Sequence, residues 1–316
     1  MKISGFSFIR NATKLYYPVK PSIRSALDLV DEFVVAVGAG DPDDRTKEEI
    51  ESIRSDKIKI IDTVWDLDEF PGGTEYAHQT DMAREQCSGD WLLYLQSDEV
   101  IHEDALDEIR QACEKYLDDI RVEGFLFRYY HFWGDYDHYH QSHAWYPAEI
   151  RMIRNDPDIH SWNDAQSFRK IPGFDGKDYK RKEGTLKLKV VELKARIYHY
   201  GWVRPPDYMQ SKRKEFARAY RGDKSAESEH KNATKYFDYG PLARLKKFDG
   251  SHPAVMKEWI GKFNWQDKLQ YKGSISRRRK LYKHEKFKYR ALSFIENNFL
   301  GGRTIGGFKN YIRISP

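Results

Sequence analysis

The chain reads as an α/β fold built on a mostly parallel sheet. Three features predict it: the apolar run Phe33-Val34-Val35-Ala36-Val37, short enough for a buried strand; the helical spacing of Ile23, Ala26, Leu27 and Val30 just before it; and a second buried run, Trp91 to Leu95, after another helical stretch. Strands that alternate with helices in this way are joined by crossovers that cover both sheet faces. With 316 residues, 40% of them hydrophobic and 15% aromatic, the chain can bury a large core, and this content outweighs a mean hydropathy of -0.81 as a guide to order.

Ile3 to Ile9 supplies the first strand and Pro21 to Val30 the first helix. Phe33 to Val37 is the second strand, followed by the acidic glycine loop Gly38-Ala39-Gly40-Asp41-Pro42-Asp43-Asp44-Arg45-Thr46 and a charged helix from Lys47. Lys57 to Asp62 gives a third strand, and Pro71-Gly72-Gly73 turns the chain into a helix over Thr74 to Cys87. Trp91 to Leu95 is the fourth strand, and Gln96-Ser97-Asp98-Glu99 follows it directly. From Gly124 to Tyr146 aromatic residues interleave with His131, His138, His140 and His143. Leu186 to Tyr200 returns to strand signals, and beyond Pro205-Pro206 a helix carries the stripe Met209, Phe216 and Tyr220 as far as Gly222.

The net charge of +5 hides a division. Residues 206–316 hold 26 Lys and Arg against 11 Asp and Glu, whereas residues 1–205 hold 28 against 38. The expected organisation is an acidic body over 1–205 and a basic, mainly helical extension over 206–316. Cys87 and Cys113 cannot make a disulfide framework and fit a reducing compartment. The N-terminus runs straight into a strand with no signal-like apolar region, and no apolar run approaches the ~20 residues of a membrane span. The expected location is the cytoplasm, either free or peripheral on the inner face of the membrane.

Open α/β sheets bind ligands beyond the carboxyl ends of their strands, so chemistry is expected in the loops after strands one, two and four. Asp98-Glu99 is suited to bridge a divalent cation to a nucleotide diphosphate, since Mg2+ and Mn2+ take oxygen ligands and often combine one or two carboxylates with phosphate. The same residues equally suit the start of a helix through Ala105 to Tyr116, where acidic side chains are favoured.

Taken in order, strand, acidic glycine loop, strand, helix and then "GDWLLYLQSDE", the chain resembles the family 2 glycosyltransferases, which have the GT-A fold and use nucleotide-sugar donors. The resemblance covers residues 1–205 and implies a Rossmann-like mixed sheet flanked by helices. The family's Asp-x-Asp motif aligns with Gln96-Ser97-Asp98, so its first aspartate is Gln96 here, and Asp98 is left as the implied ligand of Mn2+ or Mg2+. The family's acidic loop after strand two holds the nucleobase and ribose; Asp41 takes that place, while Asp43 and Asp44 also suit a solvated capping loop. Arg10-Asn11-Ala12 matches the donor-site loop after strand one. Gln79-Thr80-Asp81 stands where the family has Ala-Arg-Asn on the helix before the motif strand. The implied donor-binding residues are thus Arg10, Asn11, Asp41, Asp81, Gln96 and Asp98.

Three later blocks narrow the resemblance to a bacterial subgroup: Trp145-Tyr146-Pro147-Ala148-Glu149-Ile150-Arg151, then Asp164-Ala165-Gln166, then His199-Tyr200-Gly201-Trp202-Val203-Arg204. In inverting members the acid in the Asp164 region is the general base that deprotonates the acceptor hydroxyl. A histidine near the end of the catalytic domain completes the metal shell, the place of His199, although a histidine after a strand is also commonly structural. Arg204 or a basic residue beyond it would add positive charge against the leaving diphosphate. The implied activity is transfer of a sugar from a nucleotide-diphosphate sugar, a UDP-sugar first among them, to a glycan or lipid-linked acceptor in bacterial surface polysaccharide synthesis, by a single inverting displacement.

Trp133, Trp145 and Tyr146, with Glu149, are the expected acceptor residues, because aromatic faces stack on the C–H faces of sugars; the alternative is that these rings are core. His138, His140 and His143 have no cysteine partners and no zinc-like spacing. In the tail, Arg277-Arg278-Arg279-Lys280 with Lys283, Lys286, Lys288 and Arg290 precedes Ala291, Leu292, Ile295 and Phe299 at helical spacing, which suits an anionic membrane surface or a helix packed on the acidic body. A second function class is a catalytically reduced nucleotide-sugar- or nucleic-acid-binding protein, with Gln96 as its sign, but no nucleic-acid-binding motif accompanies it. A nucleotidyltransferase would need a glycine-rich loop after strand one, which Phe8-Ile9-Arg10-Asn11 lacks.

Overall fold

Four strands open the chain as a parallel sheet: β1 (Ile3–Ile9), β2 (Glu32–Gly38), β3 (Ile58–Thr63) and β4 (Trp91–Tyr94), with α1 (Val19–Arg24), α2 (Thr46–Glu51) and α3 (Thr74–Arg84) in the connections. The computed structural model describes residues 1–316 apart from 232–233, 276–278, 303, 307–308 and 316, so Arg277 and Arg278 lie outside the described residues. β1 lies between β2 and β4, parallel to both, and the apolar runs that predicted these strands are buried on both faces. Along β2, Phe33, Val35 and Val37 pack with residues of α1 and α2 and with Ile109, Ala112 and Cys113, whereas Val34 and Ala36 pack on the other face with Ala83 of α3. The period of two therefore divides the core into two layers, one on each side of the sheet. A Cβ on Gly5 would lie 2.3 Å from the Phe33 ring, so the missing side chain lets that ring cross β1.

The sheet then becomes mixed. β5 (Glu99–Ile101), α4 (Leu106–Lys115), β6 (Gly124–Trp133), β7 (His138–His140), β8 (Ala148–Arg154), β9 (Ile159–Trp162), β10 (Ser167–Lys170) and β11 (Leu186–Trp202) follow. The order across the sheet is β3-β2-β1-β4-β8-β6-β11-β10-β9, with β8 antiparallel to β4 and to β6, and β11 parallel to β6. This is the α/β class the sequence predicted. Beyond Pro205 come α5 (Pro206–Arg221), α6 (Asp223–Lys231), β12 (Lys246–Lys247), α7 (Lys257–Ile260), α8 (Phe287–Phe299) and β13 (Tyr311–Arg313), the last pairing parallel with β11.

Two local readings differ. Glu99 opens a short strand against β11, with Glu99 opposite His199, so Asp98 caps no helix; α4 begins only at Leu106. The aromatic stretch from Gly124 begins as the ten-residue β6, buried between β8 and β11, because its rings fill both faces of a central strand. Phe132, Tyr136, Tyr139, Tyr198 and Tyr200 form a further core with Met256 and Trp265 from the segment beyond α6.

Candidate functional site

A cavity of about 320 Å³ opens at the carboxyl ends of β1 and β4, within the usual range for small-molecule sites. β1 leads into Arg10 and Asn11 on its rim. Asn11 adopts φ 55°, and its side-chain oxygen accepts the Asp41 backbone N–H at 2.8 Å, while Asp41 also pairs with Lys14 at 2.7 Å. Lys14, with Asn11, holds the Asp41 carboxyl below its ordinary range. Asp41 therefore braces the loop that carries Asn11 and stands behind the cavity wall. Phe8 stacks on Tyr76 at 5.7 Å, Trp65 meets both rings, and the Arg10 guanidinium lies 5.5 Å from the Trp65 centroid. That corner is an aromatic slot with a cation at its edge.

Asp98, 5% exposed, lies on the loop after β4. Its Oδ2 accepts a hydrogen bond from Lys212 Nζ at 3.2 Å, and Lys212 also donates to the Gly201 carbonyl at 2.8 Å. Arg204 Nη2 stands 4.0 Å from the same oxygen, and His199 Nε2 stands 3.7 Å from Oδ1. Burial would raise the Asp98 carboxyl, but Lys212, His199 and Arg204 outweigh it and hold the group ionised far below the ordinary range. Burial, reinforced by Arg204, brings Lys212 down to about 7 against the pull of Asp98. A Cβ on Gly201 would lie 2.4 Å from His199 Nε2 and 2.6 Å from Asp98 Oδ2, so only glycine allows these groups to close around it.

The histidine is oriented from behind. His131 Nε2 meets the Tyr146 carbonyl at 2.8 Å and therefore carries the proton, since burial keeps His131 neutral. Its Nδ1 is then an acceptor, and His199 Nδ1, 2.8 Å away, must donate to it. His199 consequently presents Nε2 to Asp98.

Asp164 lines the cavity between two residues in left-handed backbone conformation, Asn163 at φ 63° and Ala165 at φ 61°. Two such sites flanking one residue are costly and are held only by a well-determined surround. Here Tyr220 donates to Asp164 Oδ2 at 2.7 Å and Asn163 Nδ2 to Oδ1 at 3.0 Å. A buried pair ties this loop to the Asp98 loop: Arg151 grips Glu99 through two contacts at 2.7 and 2.8 Å and donates to the Gln166 carbonyl at 2.9 Å, while Tyr129 donates to Glu99 and the Gln96 N–H donates to the same carboxylate. The pair is fully hydrogen-bonded, the condition under which buried charges are tolerated.

Of the predicted residues, Arg10, Asn11, Gln96, Asp98, Asp164, His199, Trp145 and Tyr146 line this one cavity. Four do not. Asp41 supports from behind. Asp81 is buried on α3 against Arg84 and His160 and accepts the Ser161 N–H, which fastens α3 to β9. Trp133 stacks on Trp202 at 4.8 Å and donates to the Tyr239 carbonyl inside a separate core cluster. Glu149 lies behind the wall, accepting a hydrogen bond from Gln166 at 2.8 Å. Sequence reasoning missed Lys212, Glu215, Phe216 and Tyr220, all from α5, together with Tyr17, Trp65 and Tyr76. The α5 stripe Met209, Phe216, Tyr220 was the available signal, but its Lys212 is one cation among many in the basic segment.

The donor set at Asp98 and His199 does not fit a divalent cation. Among the described residues no group of three His, Cys, Asp or Glu side chains converges anywhere. Gln96 points its amide to Tyr94 and the Ala165 carbonyl, Glu99 is committed to Arg151, and the remaining carboxylate already faces two cations.

No protein-family model matches the chain, and no curated protein does. Solved structures do. Staphylococcus aureus TarS is 14% identical over 69% of this chain and 39% of its own, with a TM-score of 0.37. TarS 1–349 in complex with UDP-GlcNAc is 17% identical over 69% of this chain and 66% of its own, at 0.38. Glucosyl-3-phosphoglycerate synthase from Mycobacterium tuberculosis, in complex with Mn2+, UDP and phosphoglyceric acid, is 16% identical over 41% of this chain and 43% of its own, at 0.28. The match thus spans about two fifths of the first of these TarS chains.

Proposed function

We propose that the cavity binds a nucleotide-diphosphate sugar, a UDP-sugar first among them, and transfers the sugar to a hydroxyl of a glycan or lipid-linked acceptor. One observation carries the reading: a single cavity at the carboxyl ends of parallel strands holds Asp164, a carboxylate with no ion pair among the described residues, together with a cationic cluster at Asp98 and an aromatic slot. The slot of Phe8, Trp65 and Tyr76 suits a planar base, and Arg10 and Asn11 lie where its ribose would follow. The cations suit a diphosphate, and Trp145 and Tyr146 line the same cavity as aromatic surface for a sugar ring.

The chemistry is one displacement. The Asp164 carboxylate takes the proton of the acceptor hydroxyl as that oxygen bonds to the anomeric carbon. The bond from the anomeric carbon to the diphosphate oxygen breaks, and the electron pair leaves with the nucleoside diphosphate, inverting the anomeric centre. Tyr220 and Asn163 hold Asp164 in place, so the carboxylate reorganises little during the step. Asp164→Asn keeps the shape and is expected to lower kcat by at least about 100-fold while leaving donor affinity within a few-fold. Transfer at the wild-type rate by this variant would remove Asp164 from the reaction.

A further inference from the structure

A diphosphate leaving group needs positive charge beside it, and the charge this chain provides is its own. We propose that Lys212, supported by Arg204, is the resident cation that holds the donor diphosphate, in the role a divalent ion would otherwise fill; the inference rests on the nucleotide-sugar reading of the cavity. An ammonium group has three N–H donors. Lys212 spends two, on Asp98 and on the Gly201 carbonyl; its side chain lines the cavity among the Tyr17, Trp202 and Phe216 rings, and the third N–H has no acceptor among the described residues. Arg204 is fully buried, donates through Nη1 to the Leu15 carbonyl at 2.6 Å, and keeps Nε and Nη2 without a hydrogen-bond partner. Arg204 stands behind the cavity lining with Nη2 4.0 Å from Asp98 Oδ2 and its guanidinium on the Tyr17 ring, so it supports the site through its charge.

The charges agree. Asp98 faces two basic side chains, Gln96 supplies no charge and Glu99 is paired with Arg151, so a diphosphate entering beside Asp98 meets two basic groups against one carboxylate. Lys212 is set on α5 and held by Asp98 and the Gly201 carbonyl, so the side chain is positioned before the substrate arrives. As the bond from the anomeric carbon to the β-phosphate oxygen breaks, the pair settles on that oxygen and Lys212 hydrogen-bonds it, while the acceptor proton passes to Asp164. Asp98 is then the anchor of the lysine, not a metal ligand.

The test is titration calorimetry of the full-length protein with UDP, GDP and dTDP and with the matching monophosphates, in excess EDTA and again in Mn2+. At least one diphosphate is expected to bind in EDTA, with Mn2+ changing its Kd by less than about threefold. Lys212→Met is expected to weaken the diphosphate by about 10- to 100-fold and its monophosphate by only a few-fold, and Lys212→Arg to restore most of the loss. Asp98→Asn keeps an oxygen to accept from Lys212 while removing the charge that competes with the diphosphate; it is expected to bind the diphosphate in EDTA no more weakly than wild type, and it keeps the test open should Lys212 variants fail to fold. Binding that appears only with Mn2+, an unchanged Kd in Lys212→Met, or loss of binding in Asp98→Asn would overturn the assignment to Lys212. If no diphosphate binds in either condition, the nucleotide-sugar reading itself fails and takes this inference with it.

Discussion

Glu149 and Glu75 each bury a carboxyl oxygen, Oε2, that no donor reaches, and burial pushes both carboxyls up to about 7. Burial of an unpaired oxygen favours the protonated form, which replaces a buried charge by a neutral O–H. Between about pH 4.5, the ordinary value for glutamate, and pH 7 the unfolded chain has released this proton while folded Glu149 still keeps it. Stability from Glu149 is therefore full below that window and is lost as pH rises through it, by on the order of 1–3 kcal/mol. Denaturant midpoints measured from pH 4.5 to 7.5 are expected to fall, and Glu149→Gln to flatten the fall. A midpoint that rises through this window and is unaffected by the substitution would mean that the carboxyl is ionised in the fold. At the same scale, the Asp98 cluster shows why residue type alone misleads. A lone acid after a strand signals a cation site in sequence, yet its partner here is a lysine 114 positions away in the chain.

At the scale of elements, the buried runs of β1, β2 and β4 were readable because an apolar strand shielded on both faces leaves an unbroken run of Val, Leu and Phe. Ends were less readable: α1 stops at Arg24, where the periodicity runs to Val30, since Ser25 through Leu29 continue as turns whose Ala26 and Leu29 still face the core. Asp98, Asp164 and His199 were placed by chain order and do meet in one cavity. Asp81 and Trp133 failed for a physical reason, in that their polar or aromatic groups are consumed by long-range partners on β9 and beyond α6 that no local pattern reveals. α5 closes the wall that the first 205 residues leave open, so the basic segment contributes to the site itself. α8 has a different character, with Phe287, Phe294 and Phe299 exposed and Lys286, Lys288 and Arg290 among them. Aromatics beside cations suit an anionic bilayer, where a lipid-linked acceptor would be met. A triple Phe→Ser variant at these positions is expected to lose most of its cosedimentation with phosphatidylglycerol vesicles while keeping its fold, and high salt to weaken wild-type binding. Equal binding by variant and wild type would leave α8 as a solvated helix.

At the scale of the molecule, a parallel half and a mixed half share one sheet, and the cavity lies where the chain passes between them. β4 and β8 are the seam, and the Glu99–Arg151 pair crosses it, so the loop carrying Asp98 and the loop carrying Asp164 are held by the same hydrogen-bonded unit. No helix among the described residues is long and apolar enough to cross a membrane. The most direct measurement is release of nucleoside diphosphate by the full-length protein from a panel of nucleotide sugars, with and without a saccharide acceptor. One donor is expected to be turned over, faster with acceptor present, and transfer to fall by at least about 100-fold in Asp164→Asn while binding survives. A folded protein that neither binds nor cleaves any donor in the panel would contradict the proposed transfer.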